Sequence, residues 1–379
     1  MALLLTDEQT MLRDSVRSFL SENAPVEHLR RMRDSRHPQG FSRALWKSFV
    51  DLGLTGVIVP ESNSGLGLGY VDVGVIMEEI GHHLTPTPFL STAVIGATAL
   101  IRGGTEAHKT EYLARIARGE RIVALAVEEN PKHAPLKTAF KATRAGTLFK
   151  LDGIKTFVVD GHVADLLIIP ARTAGVPGDA DGITLFLVEN TANGVFVERT
   201  LAVDTHNAAR VSLTSCMVNP ENVLGEVDNG FRLLEGILNV ARAAVASELL
   251  GVADEAFTRT LDYLKQRRQF DRAIGEFQAL QHRAANLYAE IEITRAAILK
   301  ALQTLDEDFD TATAIVAVAK ARAGSTAALA VQEAVQMHGG IGMTDEFEIG
   351  FFMKRARVCQ ELFGDANFHA DRLARLYGY

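Results

Sequence analysis

The sequence predicts a multi-domain α+β chain: a helical N-terminal domain, a middle β-sandwich or barrel domain, and a C-terminal four-helix bundle. Three observations carry this. Apolar residues at helical spacing dominate the opening part. At Ile122 the pattern switches to short alternating apolar runs separated by turns. From Gly230 long helical ladders resume and continue to the end. The boundaries fall at 1–121, 122–225 and 226–379.

Thr6 and Gln9 have the spacing of a capping box, which starts a helix with Met11, Leu12, Val16, Phe19 and Leu20 near one face. A second amphipathic helix spans about Ser42 to Leu52, with Leu45, Trp46 and Phe49 inward. Pro60, Gly65, Gly67 and Gly69 mark a loop. No Lys-Ser/Thr follows these glycines, so they do not make a P-loop. Helices continue to about Arg118, where Gly119 is the stop. In the β region, Asp152-Gly153 between two strand-like arms predicts a hairpin turn. Further strands are read at LLIIPA, TLFLVEN, VFVERT and ARVSLTSCMV.

The C-terminal helices begin with Leu233, Leu234, Ile237 and Leu238 and reach Lys265. A second carries Phe277, Leu280, Ala284, Leu287, Ile291 and Ile298. An alanine-rich third runs from about Asp310 to His338 and stops at Gly339-Gly340. A fourth spans Thr344 to Phe363, and a last one Asn367 to Leu376. Short connections between long helices imply an antiparallel bundle.

The 379 residues carry 47% hydrophobic and 23% charged side chains, enough for two or three ordinary domains. A net charge of −8 without a block of one sign argues against non-specific nucleic-acid binding. Cys216 and Cys359 sit in no metal or disulfide spacing and read as buried thiols, so no metal is expected. The first residues lack a basic n-region, and no uninterrupted apolar run approaches the roughly 20 residues of a membrane helix. A cytoplasmic protein is the expectation.

The chemistry concentrates at Tyr263–Gln281. Lys265, Arg267 and Arg268 precede Phe270 at a break between two helices, and Gln278 and Gln281 follow. A guanidinium beside an aromatic ring can pair with a diphosphate while the ring packs on a flat ligand. A solvated basic turn is the plainer alternative. The order of residues decides between them. Tyr263-x-x-x-Arg267-x-Gln269-Phe270-x-x-x-Ile274-x-x-Phe277-Gln278 resembles the signature of the acyl-CoA dehydrogenases. Gln336-x-x-Gly339-Gly340-x-Gly342, Val59-Pro60-Glu61 and Glu78-Glu79-Ile80-Gly81 resemble that family too. The resemblance covers nearly the whole chain. It implies that Arg267, Gln269, Phe270, Gln278, Gln336, Gly339 and Gly340 meet the FAD of an adjacent subunit.

Other family positions differ. Arg242 stands where the family places an arginine near the acyl-CoA, but Asp-x-x-Arg is Asn239-x-x-Arg242 here. A salt-bridged arginine on the helix surface is the alternative. The family's Thr-Glu-Pro-x-x-Gly-Ser-Asp becomes Val127-Glu128-Glu129-Asn130-Pro131-Lys132-His133, and Trp-Ile-Thr/Ser becomes Phe157-Val158-Val159. Valine cannot donate to a flavin. Whether Glu128 or Glu129 enters the site is open. The family's catalytic glutamate aligns with Gly364, or with Asp365 after a one-residue shift. Asp365 is the candidate base, with a turn and helix N-cap at Gly364-Asp365 as the alternative. The alternative base position before Arg242 holds Ala241.

The resemblance implies FAD-dependent α,β-dehydrogenation of an acyl-CoA to a trans-2-enoyl-CoA, in lipid or steroid side-chain catabolism. It implies an oligomer and an electron-transfer flavoprotein as acceptor. The motifs serving a neighbour's FAD are kept and those serving the chain's own flavin ring are altered. That contrast suggests a non-catalytic subunit of an α2β2 assembly with a paralogous chain. A flavin monooxygenase or oxidase on the same fold is a further alternative.

Overall fold

The computed structural model describes residues 3–379, and they divide into two compact units. One unit comprises the chain up to Arg31, Tyr70–Thr85 and Arg242–Tyr379; the other comprises Met32–Gly69 and Pro86–Ala241. The order is helices, a mixed β sheet, then helices, as the sequence predicts.

In the first unit, α1 (Asp7–Asn23) opens on the predicted box, with Thr6 and Gln9 capping each other. Helix α2 (Val26–Asp34) runs over the boundary at Arg31, α3 (Arg43–Asp51) belongs to the second unit, and α4 (Tyr70–His83) of the first unit packs on α1. Helix α7 (Gly230–Gln266) crosses α4 at two glycines. A Cβ on Gly81 would stand 2.2 Å from the Glu248 carbonyl oxygen, and one on Gly251 2.0 Å from that of Glu78. Only glycine lets the two backbones come this close. The crossing therefore fixes Glu78, Glu79 and His82 of α4 beside Asp254 of α7.

The rest of this unit is α8 (Gln278–Glu307), α9 (Thr313–His338), α10 (Ile349–Glu361) and α11 (Ala366–Leu376). Helix α9 contacts α8, α10 and α11 through its alanines, of which Ala317, Ala319, Ala323, Ala327, Ala330 and Ala334 are buried. Helix α7 and the stretch Thr313–Met343 are each long and apolar enough to cross a membrane, which the sequence does not lead one to expect. Of the apolar window in α7, 94% is buried within the protein. Its charges Arg242 and Glu248 are buried and hydrogen-bonded, so they interrupt the sequence without exposing the helix.

The second unit holds a fully buried π-helical segment, Phe89–Gly96, followed by α5 (Ala97–Gly103) and α6 (Glu106–Ala117). Its sheet consists of β1 (Val123–Leu125), β2 (Lys141–Ala145), β3 (Leu148–Val159), β4 (Leu166–Arg172), β5 (Ile183–Glu189), β6 (Val195–Leu201), β7 (Asn207–Val218) and β8 (Val223–Leu224). The order is β6-β7-β3-β2-β4-β5-β8, with β1 parallel to β4. A single parallel pair, Lys141↔Arg172, joins two antiparallel halves. Strands β4 and β5 are buried on both faces, which explains their unbroken apolar runs.

One expectation fails here. Asp152-Gly153 is not a turn but lies inside β3. The hairpin turn is Gly146-Thr147, between Ala145 and Leu148, which are paired across β2 and β3. A Cβ on Gly153 would stand 2.6 Å from the Phe140 ring, and the β3–β7 register shifts at this point. The glycine serves a close approach at a bulge, which looks like a turn in sequence.

Candidate functional site

One ring contact joins the two strongest sequence motifs. Tyr263 stands in the last turn of α7 and His338 in the last turn of α9. Their rings meet at 4.4 Å, and Phe347 packs on His338 at 4.7 Å. Burial lowers the His338 pKa, and Nδ1–H donates to the Ala334 carbonyl at 2.7 Å, so the ring is a neutral wedge. Arg267 lies one helical turn beyond Tyr263, its N–H closing on the Tyr263 carbonyl at 2.8 Å. Gly339-Gly340 follow His338 directly. The motifs therefore share one end of the helical unit.

Arg267 is exposed there, and its guanidinium has no hydrogen bond or ion pair among the described residues. Beyond it a two-stranded hairpin, β9 (Arg268–Gln269) and β10 (Arg272–Ala273), interrupts the predicted helix break. Its tip is Phe270-Asp271, at φ +53° and +61°. This is the turn that normally asks for Asn-Gly, and a left-handed phenylalanine costs about 1–2 kcal/mol. Phe270 is nevertheless 84% exposed, edge-on to Phe277 at 6.1 Å. Gln269 turns back on the Arg268 carbonyl at 2.9 Å, while Gln278 and Gln336 are exposed.

The glycine pair points the same way. Gly339 adopts φ +63°, ψ −139°, a region open essentially to glycine alone. A Cβ on Gly339 or Gly340 would meet nothing within 4 Å. The chain's own packing gives Gly340 no reason to be glycine; an approaching ligand or second chain does. An unpaired guanidinium, an exposed ring and an uncovered glycine backbone fit the diphosphate and adenosine of FAD.

The region of the candidate base is built differently. Asp365 is the N-cap of α11, and its Oδ1 accepts from the Phe368 N–H at 2.8 Å. Gly364 adopts φ +109°, and a Cβ there would stand 2.4 Å from Phe368 Cδ1. Phe368 thus fills the place a side chain at 364 would take. Arg242 is not on a helix surface: it is wholly buried, and its Nε donates to the Phe363 carbonyl at 3.1 Å. Sequence reasoning missed its neighbour Lys320, also buried, whose Nζ donates to the carbonyls of Gln360 and Gly364 at 3.1 and 3.0 Å.

The two altered β segments also meet. Thr156 N–H donates to the Glu128 carbonyl at 2.8 Å. Glu129 turns inward, accepting from Ala139 N–H at 2.9 Å and from buried Lys155 at 2.6 Å. Glu128 pairs with His133 at 2.6 Å. A second register shift, between Lys155 and Val158, turns Phe157 out at φ +49° and 40% exposure.

A buried charge network was not legible either. His82 lies 3.2 Å from both Glu79 and Asp254, Arg17 pairs with Glu79 at 2.7 Å, and Arg295 pairs with Glu78 and lies 3.6 Å from Asp254. Burial opposes the charge on His82, yet its bonds to Asp254 and Glu79 outweigh it and push the pKa up to about 10. Glu78, His82 and Asp254 offer donor atoms within 4.8 Å of one another, but Arg295 already supplies the positive charge. With Glu292, 3.4 Å from Arg295, three cations face four carboxylates. A cavity of about 630 Å³ beside this network is walled by Val71, Val75, Leu250, Leu299 and Leu302 together with Glu78 and Asp254, and includes neither Arg267 nor Gly339-Gly340.

Comparison with known proteins agrees with the geometry. Residues 6–120 match the family model "Acyl-CoA dehydrogenase, N-terminal domain", and residues 228–377 match "Acyl-CoA dehydrogenase, C-terminal domain". The chain is 30% identical over 364 residues to the mitochondrial isovaleryl-CoA dehydrogenase of Solanum tuberosum, covering 94% of this chain and 87% of the relative. Its structure is similar to that of a variant of the Tcur3481–Tcur3483 steroid ACAD, with a TM-score of 0.88 and 30% identity over 98% of both chains. It is similar also to the ChsE4–ChsE5 complex from Mycobacterium tuberculosis, with a TM-score of 0.91 and 26% identity over 100% of both chains. The family is one of FAD-dependent flavoproteins, and this chain belongs to the acyl-CoA dehydrogenase family.

Proposed function

We propose that this chain works in the FAD-dependent α,β-dehydrogenation of an acyl-CoA thioester as the subunit that completes a partner chain's FAD site. The observation that carries this is the contrast between its two regions. Arg267, Phe270 and Gly339-Gly340 are uncovered and ready to meet a ligand from outside. At the base position, Gly364 is filled in by Phe368 and Asp365 is held as a helix cap.

FAD supplies the hydride acceptor. Arg267 places a permanent positive charge for the diphosphate, Gly339 and Gly340 admit it to the backbone, and Phe270 offers a face for stacking. The base that takes the α-proton comes from the partner chain. The likeness to two structures whose names join unlike chains supports a hetero-oligomer. The likeness to a steroid ACAD supports a CoA ester of a lipid or steroid side chain, and the family resemblance supports an electron-transfer flavoprotein as acceptor.

The test is co-expression with a paralogous acyl-CoA dehydrogenase chain from the same genome, with Arg267 intact or as Arg267→Ala. Wild-type chain should yield a flavin-loaded, active complex. Arg267→Ala should lower FAD affinity about tenfold or more, the worth of a charge-assisted bond. Full dehydrogenase activity from this chain alone, as a homo-oligomer, contradicts the proposal and restores Asp365 as a candidate base.

A further inference from the structure

The turn between α10 and α11 is held at unusual cost. Phe363 sits at φ +56°, where phenylalanine is disfavoured, and Gly364 follows at +109°. Helix α10 ends at Glu361 with its last carbonyls lacking partners in the helix. A glycine at the helix stop commonly satisfies such carbonyls without any buried charge. Here Gly364 N–H takes the Glu361 carbonyl, at 3.2 Å, and two buried cations hold the Gln360 carbonyl and the carbonyls of the turn itself. Lys320 binds the carbonyls of Gln360 and Gly364, and Arg242 binds that of Phe363 between them. Gln360 answers by donating its side-chain amide to the Gly324 carbonyl of α9 at 2.7 Å. Lys320 makes no ion pair with a carboxylate among the described residues, so desolvation of its ammonium is offset by carbonyl dipoles and by the more distant charges of Glu361 and Asp365.

We propose that Lys320, together with Arg242, is a positioning residue that locks the Phe363–Gly364 turn and so shapes the acyl-CoA end of the site. The role of the turn rests on the acyl-CoA reading above; the lock itself does not. The lock is sensitive to pH. Burial and nearby Arg242 pull the Lys320 pKa down to about 8, against Cys359 and Glu361 of α10 and Asp365 of α11. Above that pH the ammonium becomes an amine and its hold on the carbonyls weakens. Global stability moves the other way. The unfolded lysine keeps its proton to higher pH, so this group makes folding more favourable as pH rises from about 8 towards 10.5.

The experiment uses the flavin-loaded complex, wild type, Lys320→Met and Lys320→Arg, from pH 7 to 9.5. One arm follows hydrogen exchange of the amides at 362–369, corrected for intrinsic rates. The other measures the octanoyl-CoA dissociation constant from the change in flavin absorbance. Lys320→Met should speed exchange at 362–369 alone and weaken octanoyl-CoA binding about tenfold, with Lys320→Arg closer to wild type. Wild type should approach Lys320→Met above pH 8, while Lys320→Arg should not. Unchanged exchange in Lys320→Met, or a uniform rise across the protein, overturns the lock. If Lys320→Met does not fold, wild type and Lys320→Arg decide the question through pH: parallel exchange profiles overturn the lock. Locally faster exchange with no effect on octanoyl-CoA upholds the lock and overturns its role in the acyl-CoA site. If wild type shows no flavin response to octanoyl-CoA, the acyl-CoA reading fails while the exchange arm still decides the lock.

Discussion

Two glycines beside the candidate site are glycine for opposite reasons. Gly364 is required by its own chain, through a positive φ and the Phe368 ring 2.4 Å from where a Cβ would stand. Gly364→Glu therefore should not create a catalytic base. It should cost about 1–3 kcal/mol in overpacking, with backbone strain in addition, and leave the lone chain without dehydrogenase activity. Denaturant melts and an acyl-CoA assay check this; appearance of activity in the variant contradicts it. Gly340 is unhindered in its own chain. Gly340→Ala should leave stability within about 0.5 kcal/mol of wild type. If the open space receives FAD, affinity should fall about tenfold or more as the added methyl meets the ligand. Flavin titration of the complex separates the two effects, and an unchanged affinity removes Gly340 from the site.

Helices α4 and α7 show what their paired glycines make possible. Once Gly81 and Gly251 bring the backbones together, His82 is enclosed by Glu79 and Asp254. Its folded pKa of about 10 exceeds the ordinary 6.5, so its contribution is fully present below pH 6.5 and is lost as pH rises through 10. Burial opposes ionisation of Glu79 and Asp254, but His82 and the neighbouring arginines hold both pKa values below their ordinary 4.5 and 3.8. Their contribution is present above those ordinary values and fades as pH falls through the lowered ones. The network's contribution to stability is therefore greatest from about pH 5 to 6.5. His82→Leu removes one cation from buried Glu79 and half-buried Asp254, which keep Arg17 and Arg295, and should cost about 1–3 kcal/mol at pH 6. The alkaline decline between pH 7 and 10 should shrink in the variant. An identical decline shows that His82 does not carry it.

Across the whole chain, the order of helices, sheet and helices was legible because the period of apolar residues changes at Ile122 and again near Gly230. Asp152-Gly153 misled because a bulge and a turn draw on the same residues, and only strand pairing tells them apart. The 268–273 hairpin was hidden because Phe270-Asp271 is not turn chemistry. Lys320 was hidden because a lone lysine in an alanine-rich helix looks solvated, and Phe363 and Gly364 lie far off in sequence. Arg267 and Gly339-Gly340 stood out because they sit in motifs that resemble a family signature; the backbone of this chain explains Gly339 but not Arg267 or Gly340. The hairpin tip has a consequence for how this surface would meet the proposed partner chain. With Phe270 and Asp271 both held in left-handed backbone, the tip already has its shape before any encounter. Little conformational entropy remains to be lost there on docking, so association at this end should be limited by collision and orientation rather than by a folding step. Its rate should follow solvent viscosity, and temperature only weakly.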